Sequence, residues 1–198
     1  MLITIINKKI FLVLLILTIL PIQILAQTKE NPGRTVIQIE SGWNGYTGGL
    51  GPRLNFHLLG PFAINGGFGG SLWGFRTSGS LFYYIDTFPY GLALCTGYVH
   101  DSGMKQYEEE AAKTTSGYKD LNLKLYPTEM ININIHYSTQ LTQNILFYFE
   151  GGYAVRVGSK KDYKQITNYK ITSEGKSDIE SFSPGGIIIS IGFGFGPF

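Results

Sequence analysis

Cysteine is almost missing: Cys95 is the single one in 198 residues, so no intramolecular disulfide framework holds the chain together. Metal-ligand spacing is missing too. His57, His100 and His136 lie far apart and Cys95 stands alone, so no metal site is expected and nothing calls for a cofactor. "GFGFGP" near the end lacks the helix that a nucleotide-binding glycine loop requires. Prolines are few and helix-forming runs are scarce. An excess of one charge is absent once the N-terminus is set aside. Losing Lys8 and Lys9 takes 16 basic residues to 14, against 14 acidic ones, which leaves no basic field for a nucleic acid.

Residues 1–26 carry the parts of a secretory signal peptide. Lys8 and Lys9 supply the positive end, Ile10 to Ile22 the apolar core, and Ala26 the small residue at the expected cut. The apolar core is short of the roughly 20 residues of a membrane helix. Cleavage is expected to leave a short periplasmic segment, 27–33, and a barrel domain, 34–198.

What is abundant is glycine, at 26 residues, and Phe plus Tyr, at 13 each, a mixture that favours a sheet protein with tight approaches. The main signal is period-two alternation in segments of about ten residues. In "TVIQIESGW", Ile37, Ile39 and Trp43 face one side, and Gln38, Glu40 and Asn44 the other. In "LNFHL", Leu54, Phe56 and Leu58 oppose Arg53, Asn55 and His57. Phe62, Ile64, Phe68 and Leu72 oppose a small face of Ala63, Asn65, Gly67, Gly69 and Ser71. Tyr90, Leu92, Leu94, Thr96 and Tyr98 oppose Gly91, Ala93, Cys95 and Gly97, which makes Cys95 a small inward filler. "SLFYYID" is aromatic on both faces and leaves its inward side open. Residues 101–117 and 159–181 break the pattern and read as long polar loops.

Between those loops, in "YKDLNLKLYPTEMININIHY", the odd positions Leu121, Leu123, Leu125, Ile131, Ile133, Ile135 and Tyr137 are apolar, and the even positions Asp120, Asn122, Lys124, Asn132, Asn134 and His136 are polar. Pro127 admits a hairpin or a bend. The unbroken parity favours one strand with a bulge, although proline removes one ladder donor. The strands are then 34–43, 50–59, 62–73, 78–87, 90–100, 118–137, 145–158 and 182–196. Eight strands put both termini on one side, with short turns there and long loops opposite, and the last strand must pair with the first. The fold class is all-β, an eight-stranded antiparallel up-and-down transmembrane barrel.

A soluble lipocalin-like barrel also alternates, with its apolar face inside. The choice turns on bulk: Gly67, Gly69, Gly192 and Gly194 make a poor solvated surface but fit a crowded lumen. Trp43, Trp73, Tyr90, Tyr98 and Tyr137 fall near strand ends, as an interfacial aromatic girdle would. Tyr126, Glu129, Met130, His136 and Tyr137, followed by Tyr148, Gly151, Gly152 and Tyr153, resemble a motif of small Gram-negative outer-membrane β-barrel proteins, including the PorT-like barrel-domain family. Ile131 stands where that family has proline. The terminal Phe198 is similar to the signal read by the outer-membrane assembly machinery. The resemblance implies an outer-membrane location, contact with outer-membrane lipid and with that machinery, and a monomer.

For function, Glu40, Arg53, His57, Lys124, Glu150 and Arg156 form the expected lumen polar network, a plug of paired charges, with Glu40 and Arg53 on adjacent strands. The role expected is structural or surface interaction through the long loops, with an extracellular ligand or partner unidentified. A competing class is an outer-membrane lipid-modifying hydrolase. His100 and Ser102 share a strand face and, with a carboxylate such as Glu108, could activate a nucleophile. This resembles the His-x-Ser of outer-membrane lipid A deacylases, with Gly103 and Met104 where their Asn-Ala-Gly would follow.

Overall fold

The structure, a computed structural model, describes residues 35–158 and 162–196. The signal peptide, the segment 27–33 and Phe198 lie outside the described residues. Eleven strands and one helix follow in order: β1 (Thr35–Trp43), β2 (Leu50–His57), β3 (Phe62–Ser71), β4 (Gly74–Tyr84), β5 (Gly91–Asp101), β6 (Met104–Thr114), β7 (Gly117–Leu125), β8 (Thr128–Thr142), β9 (Ile145–Val157), β10 (Tyr163–Gln165), α1 (Ser173–Ser181) and β11 (Gly186–Phe195).

Eight strands close an antiparallel barrel in the order β1-β11-β9-β8-β5-β4-β3-β2. Closure is made by the first and last strands, where Ile39 lies opposite Phe193 and Glu40 opposite Gly192. The alternation read in the sequence is the alternation of the wall. Ile37 and Ile39 are exposed while Val36, Gln38 and Glu40 are buried. In β11, Ile187, Ile189, Ile191, Phe193 and Phe195 point out, while Ile188, Ser190, Gly192 and Gly194 point in. In β4 the inward aromatics are Phe82 and Tyr84.

The interior is filled by side chains, as expected for a barrel of this strand number. Val36, Ala63, Phe82, Tyr84, Phe88, Ala93, Cys95, Leu146 and Tyr148 form an apolar cluster toward the end with the short turns. Tyr46, Val99, Met130, Ala154 and Ile188 form another toward the opposite mouth. Inward glycines make this filling possible, because a Cβ at Gly192 would fall 2.4 Å from the Tyr148 hydroxyl.

Beyond that opposite mouth the chain departs from its expected layout. Residues 101–117 are not a loop: Asp101 ends β5, and β6 pairs with β7 and, through β7, with β10 in a separate three-stranded sheet. The stretch 118–137 is not one strand but two, belonging to different sheets, and Pro127 marks the break rather than a hairpin. The ladder register nonetheless carries across it, since Asp101 faces Thr128 and Met104 faces Leu125. Gly103, at φ +67, and Pro127, with no N–H to donate, let the two-stranded arm leave the wall together.

The 159–181 segment likewise holds structure: β10 and α1. Thr172 caps the helix by accepting from the Gly175 N–H (3.2 Å), and Gly175 and Ile179, four residues apart, make its buried face. That face packs on Leu121, Leu123 and Leu125 of β7 and on Trp73 and Ala112, completing a small cap.

Candidate functional site

The polar side chains inside the barrel converge on Arg53, which is fully buried. Its Nη1 donates to Glu40 Oε2 and to Glu150 Oε1 (2.8 Å), and its Nε donates to Asn65 Oδ1 (3.1 Å). Asn65 passes the bond on to Gln38 (3.1 Å). Glu40 also accepts from the Thr47 N–H (3.1 Å) and hydroxyl (3.2 Å). Glu150 accepts from Asn134 (3.3 Å) and from His136 Nδ1 (2.9 Å), and because a carboxylate only accepts, Nδ1 carries the hydrogen. Aromatic rings surround the guanidinium, with the Tyr46 centroid at 4.8 Å and those of Phe82 and Tyr148 at 5.6 Å.

A second buried ion pair closes the mouth on the cap side. Arg76 grips Asp101 with two bonds, Nε to Oδ1 (2.9 Å) and Nη2 to Oδ2 (2.6 Å), and its Nη1 donates to the Gly45 carbonyl (2.8 Å). Paired with opposite charges, such side chains can be held out of water. Chemically, the two clusters are fastenings across strands: Glu40, Arg53, Asn65, His136 and Glu150 come from β1, β2, β3, β8 and β9.

Of the six residues expected in the lumen network, Glu40, Arg53 and Glu150 meet there. His57 sits at the rim, stacked on Phe88 (4.9 Å) and donating from Nε2 to the Gly60 carbonyl (2.8 Å). Arg156 is at the other rim, bonded to the Pro184 carbonyl, Asp162 and Ser183. Lys124 is outside the barrel, exposed on β7 with its Nζ 5.3 Å from the Tyr126 ring centroid. Its parity matches the inward face of β8, but past Pro127 that face meets solvent. Gln38, Asn65, Asn134 and His136 were legible as inward residues, yet belong to the network. Arg76 lies outside the strand expected at 78–87, because β4 starts at Gly74.

Among the expected girdle aromatics, Trp43, Tyr98 and Tyr137 are exposed on the outer wall, and Tyr90 is half-buried in the connection between β4 and β5. Trp73 corrects the expectation: it is buried under the cap and donates from Nε1 to the Tyr126 carbonyl (3.0 Å).

His100 and Ser102 do share a face, while Asp101 turns to the other and is held by Arg76. The Ser102 hydroxyl accepts from the Phe75 N–H (2.9 Å) and donates to the Gly103 carbonyl (3.1 Å). Glu108 is exposed on β6 opposite Asn122. Among the described residues, no three His, Cys, Asp or Glu side chains are grouped to hold a metal ion.

In the cap, burial and then Glu109 push the Tyr107 phenol above its ordinary value, and burial and then Glu180 do the same for Tyr163. The hydrogen bond to Glu174 raises Lys113. Compared with protein-family models, with curated proteins and with solved structures, the chain has no significant match.

Proposed function

We propose that this closed eight-stranded barrel is an integral outer-membrane protein whose lumen is plugged and whose function is exerted at the surface by the cap. The observation that carries this reading is the inversion of the barrel. Its outer wall is lined by large apolar side chains on every strand, among them Ile187 at 64% and Ile133 at 60% exposure, while Arg53, Glu40 and Glu150 are shut inside. Soluble monomers rarely leave so continuous an apolar surface to water, and a transmembrane barrel requires one. Barrel strands of 8 to 15 residues suit a tilted span that needs roughly 9–11. Outer-membrane lipid then contacts the wall.

The cap gives the surface role its means. A sheet and a helix with their own apolar core form a platform at the mouth opposite the short turns, the side that faces outward in such barrels. With the interior occupied by Arg53, its partners and three surrounding aromatics, conduction is not the expected task.

Cell fractionation with gel mobility before and after boiling tests the location. Recovery with the outer membrane and a mobility shift on heating are expected. Recovery in the soluble periplasm with no shift would overturn the reading in favour of a lipocalin-like barrel. Planar-bilayer recordings of refolded protein should show no stable conductance.

A further inference from the structure

At the cap-side mouth, three connections converge on a cavity of ≈ 180 Å³. They are residues 44–49 between β1 and β2, residues 72–73 between β3 and β4, and the segment 182–185 that leads from α1 to β11. Its walls are Trp43, Leu72, Trp73, Phe182 and Pro184, and Arg76 lies at its floor. We propose that this cavity is a binding site for a single uncharged aromatic ring of benzene size. The proposal concerns the mouth alone and stands whether or not the wall sits in a membrane.

The chemistry of the walls selects the class. Trp43 and Phe182 already lie at 5.9 Å between ring centroids and tilted by 60°, leaving aromatic surface toward the cavity. Aromatic rings prefer such tilted or offset neighbours. The polar groups around them are engaged with the protein itself. Asn44 donates from Nδ2 to the carbonyls of Gly185 (2.6 Å) and Ile187 (3.2 Å) and accepts from the Gly185 N–H (3.3 Å). The Ser71 hydroxyl accepts from the Trp73 N–H (3.1 Å) and has its one hydrogen to share between Asp101 Oδ1 (2.9 Å) and the Gly74 carbonyl (3.1 Å). The Arg76 charge is neutralised by Asp101. A sugar would find its hydroxyls without partners, and an anion would find no free cation; an apolar ring loses nothing by entering.

The geometry is also held open rather than free to collapse. Asn44 adopts φ +55, a left-handed conformation that asparagine tolerates, and from there it ties the first connection to the last. Gly48 brings the first connection so close to the second that a Cβ there would meet the Ser71 Cβ at 2.7 Å. Trp73 is pinned through its indole N–H to Tyr126. For size, an apolar protein cavity of about 150 Å³ takes up benzene.

The two tryptophans in the chain both line this cavity, so intrinsic fluorescence reports on it directly. In Trp43→Phe, emission comes from buried Trp73 alone. Bromobenzene, a heavy-atom quencher, should extinguish it along a saturating curve, and added benzene should restore it. Phe182→Ala, which removes one ring from the wall, should weaken the apparent affinity roughly two- to tenfold, the size of one ring–ring contact. Leu72→Phe, which narrows the cavity, should weaken it as well. A far-UV strand spectrum unchanged from the parent confirms that each variant is folded. Linear quenching that benzene does not relieve would overturn the proposal. So would saturation by 1-bromohexane but not by bromobenzene, which would assign the cavity to an aliphatic chain.

Discussion

Two buried carboxylates, Glu40 and Glu150, share the guanidinium of Arg53, and that sharing fixes what each substitution should do. Removing the cation leaves two acids facing each other out of water. Breaking a buried pair in this way costs about 3–5 kcal/mol, far more than an intact pair contributes over an apolar replacement. Arg53→Met is therefore expected to destabilise the refolded barrel by about that amount in urea unfolding. The triple variant Arg53→Met, Glu40→Gln, Glu150→Gln should recover most of the loss, because no uncompensated charge remains. A triple variant no more stable than the single one would mean that shape, not charge, is what Arg53 supplies. His136 bears on the same balance, since its Nδ1–H is one of the donors that Glu150 would lose in a His136→Phe change.

At the scale of elements, the junction at Gly103 and Pro127 separates the barrel from its cap. Gly103 has φ +67, and a Cβ there would lie 2.5 Å from the Leu125 carbonyl oxygen and 2.7 Å from the Pro127 nitrogen. Gly103→Ala should cost about 1–2 kcal/mol from the left-handed backbone alone, with the clash in addition. The effect should be local. Amide hydrogen exchange is expected to rise in β6, β7 and β10 while the barrel strands keep their protection; equal loosening of both would show that barrel and cap form one cooperative unit. The same junction explains which parts of the fold were legible in the sequence. Most barrel strands were legible because they bury alternate residues against a lumen, which leaves a period of two, whereas β4, aromatic on both faces at Phe82, Tyr83 and Tyr84, left its inward side open. In β6 the ladder shifts between Met104 and Tyr107 and again between Glu109 and Ala112, so its inward residues change parity twice and the alternation dissolves. In β7 and β8 the opposite happens. The apolar residues keep odd positions on both sides of Pro127, but Leu121, Leu123 and Leu125 are buried against the cap while Ile131, Ile133 and Ile135 are exposed on the wall. A constant pattern thus conceals a change of environment, which is why Lys124 was expected inside. The helix α1 gave no amphipathic stripe because Gly175 and Ile179 are its only buried residues. Its position is set by the Thr172 hydroxyl, which donates to the Lys113 carbonyl (3.0 Å), a contact no local pattern encodes.

For the whole molecule the question is what surrounds the wall, and a single charged residue placed on it gives opposite answers in lipid and in water. Ile133 is suited to this, because it lies mid-strand in β8, points outward, and has Thr96 of β5 and Tyr153 of β9 as its cross-strand neighbours. It makes no part of the lumen network or the cap. In a bilayer, Ile133→Arg exposes a guanidinium to hydrocarbon and should cost about 2–4 kcal/mol near the midplane. In water the same change is an ordinary surface substitution, worth within about 0.5 kcal/mol of nothing. Urea unfolding of the variant refolded into lipid vesicles is expected to show the larger cost. Tyr118→Arg, at the exposed start of β7 in the cap, serves as the companion, since it should be near neutral wherever the barrel resides. Near-neutral values for both would place water against the wall and remove the membrane from the account of this protein. A large cost at Ile133 alone would make the apolar band a lipid-facing surface, with the cap left as the part that meets the outside.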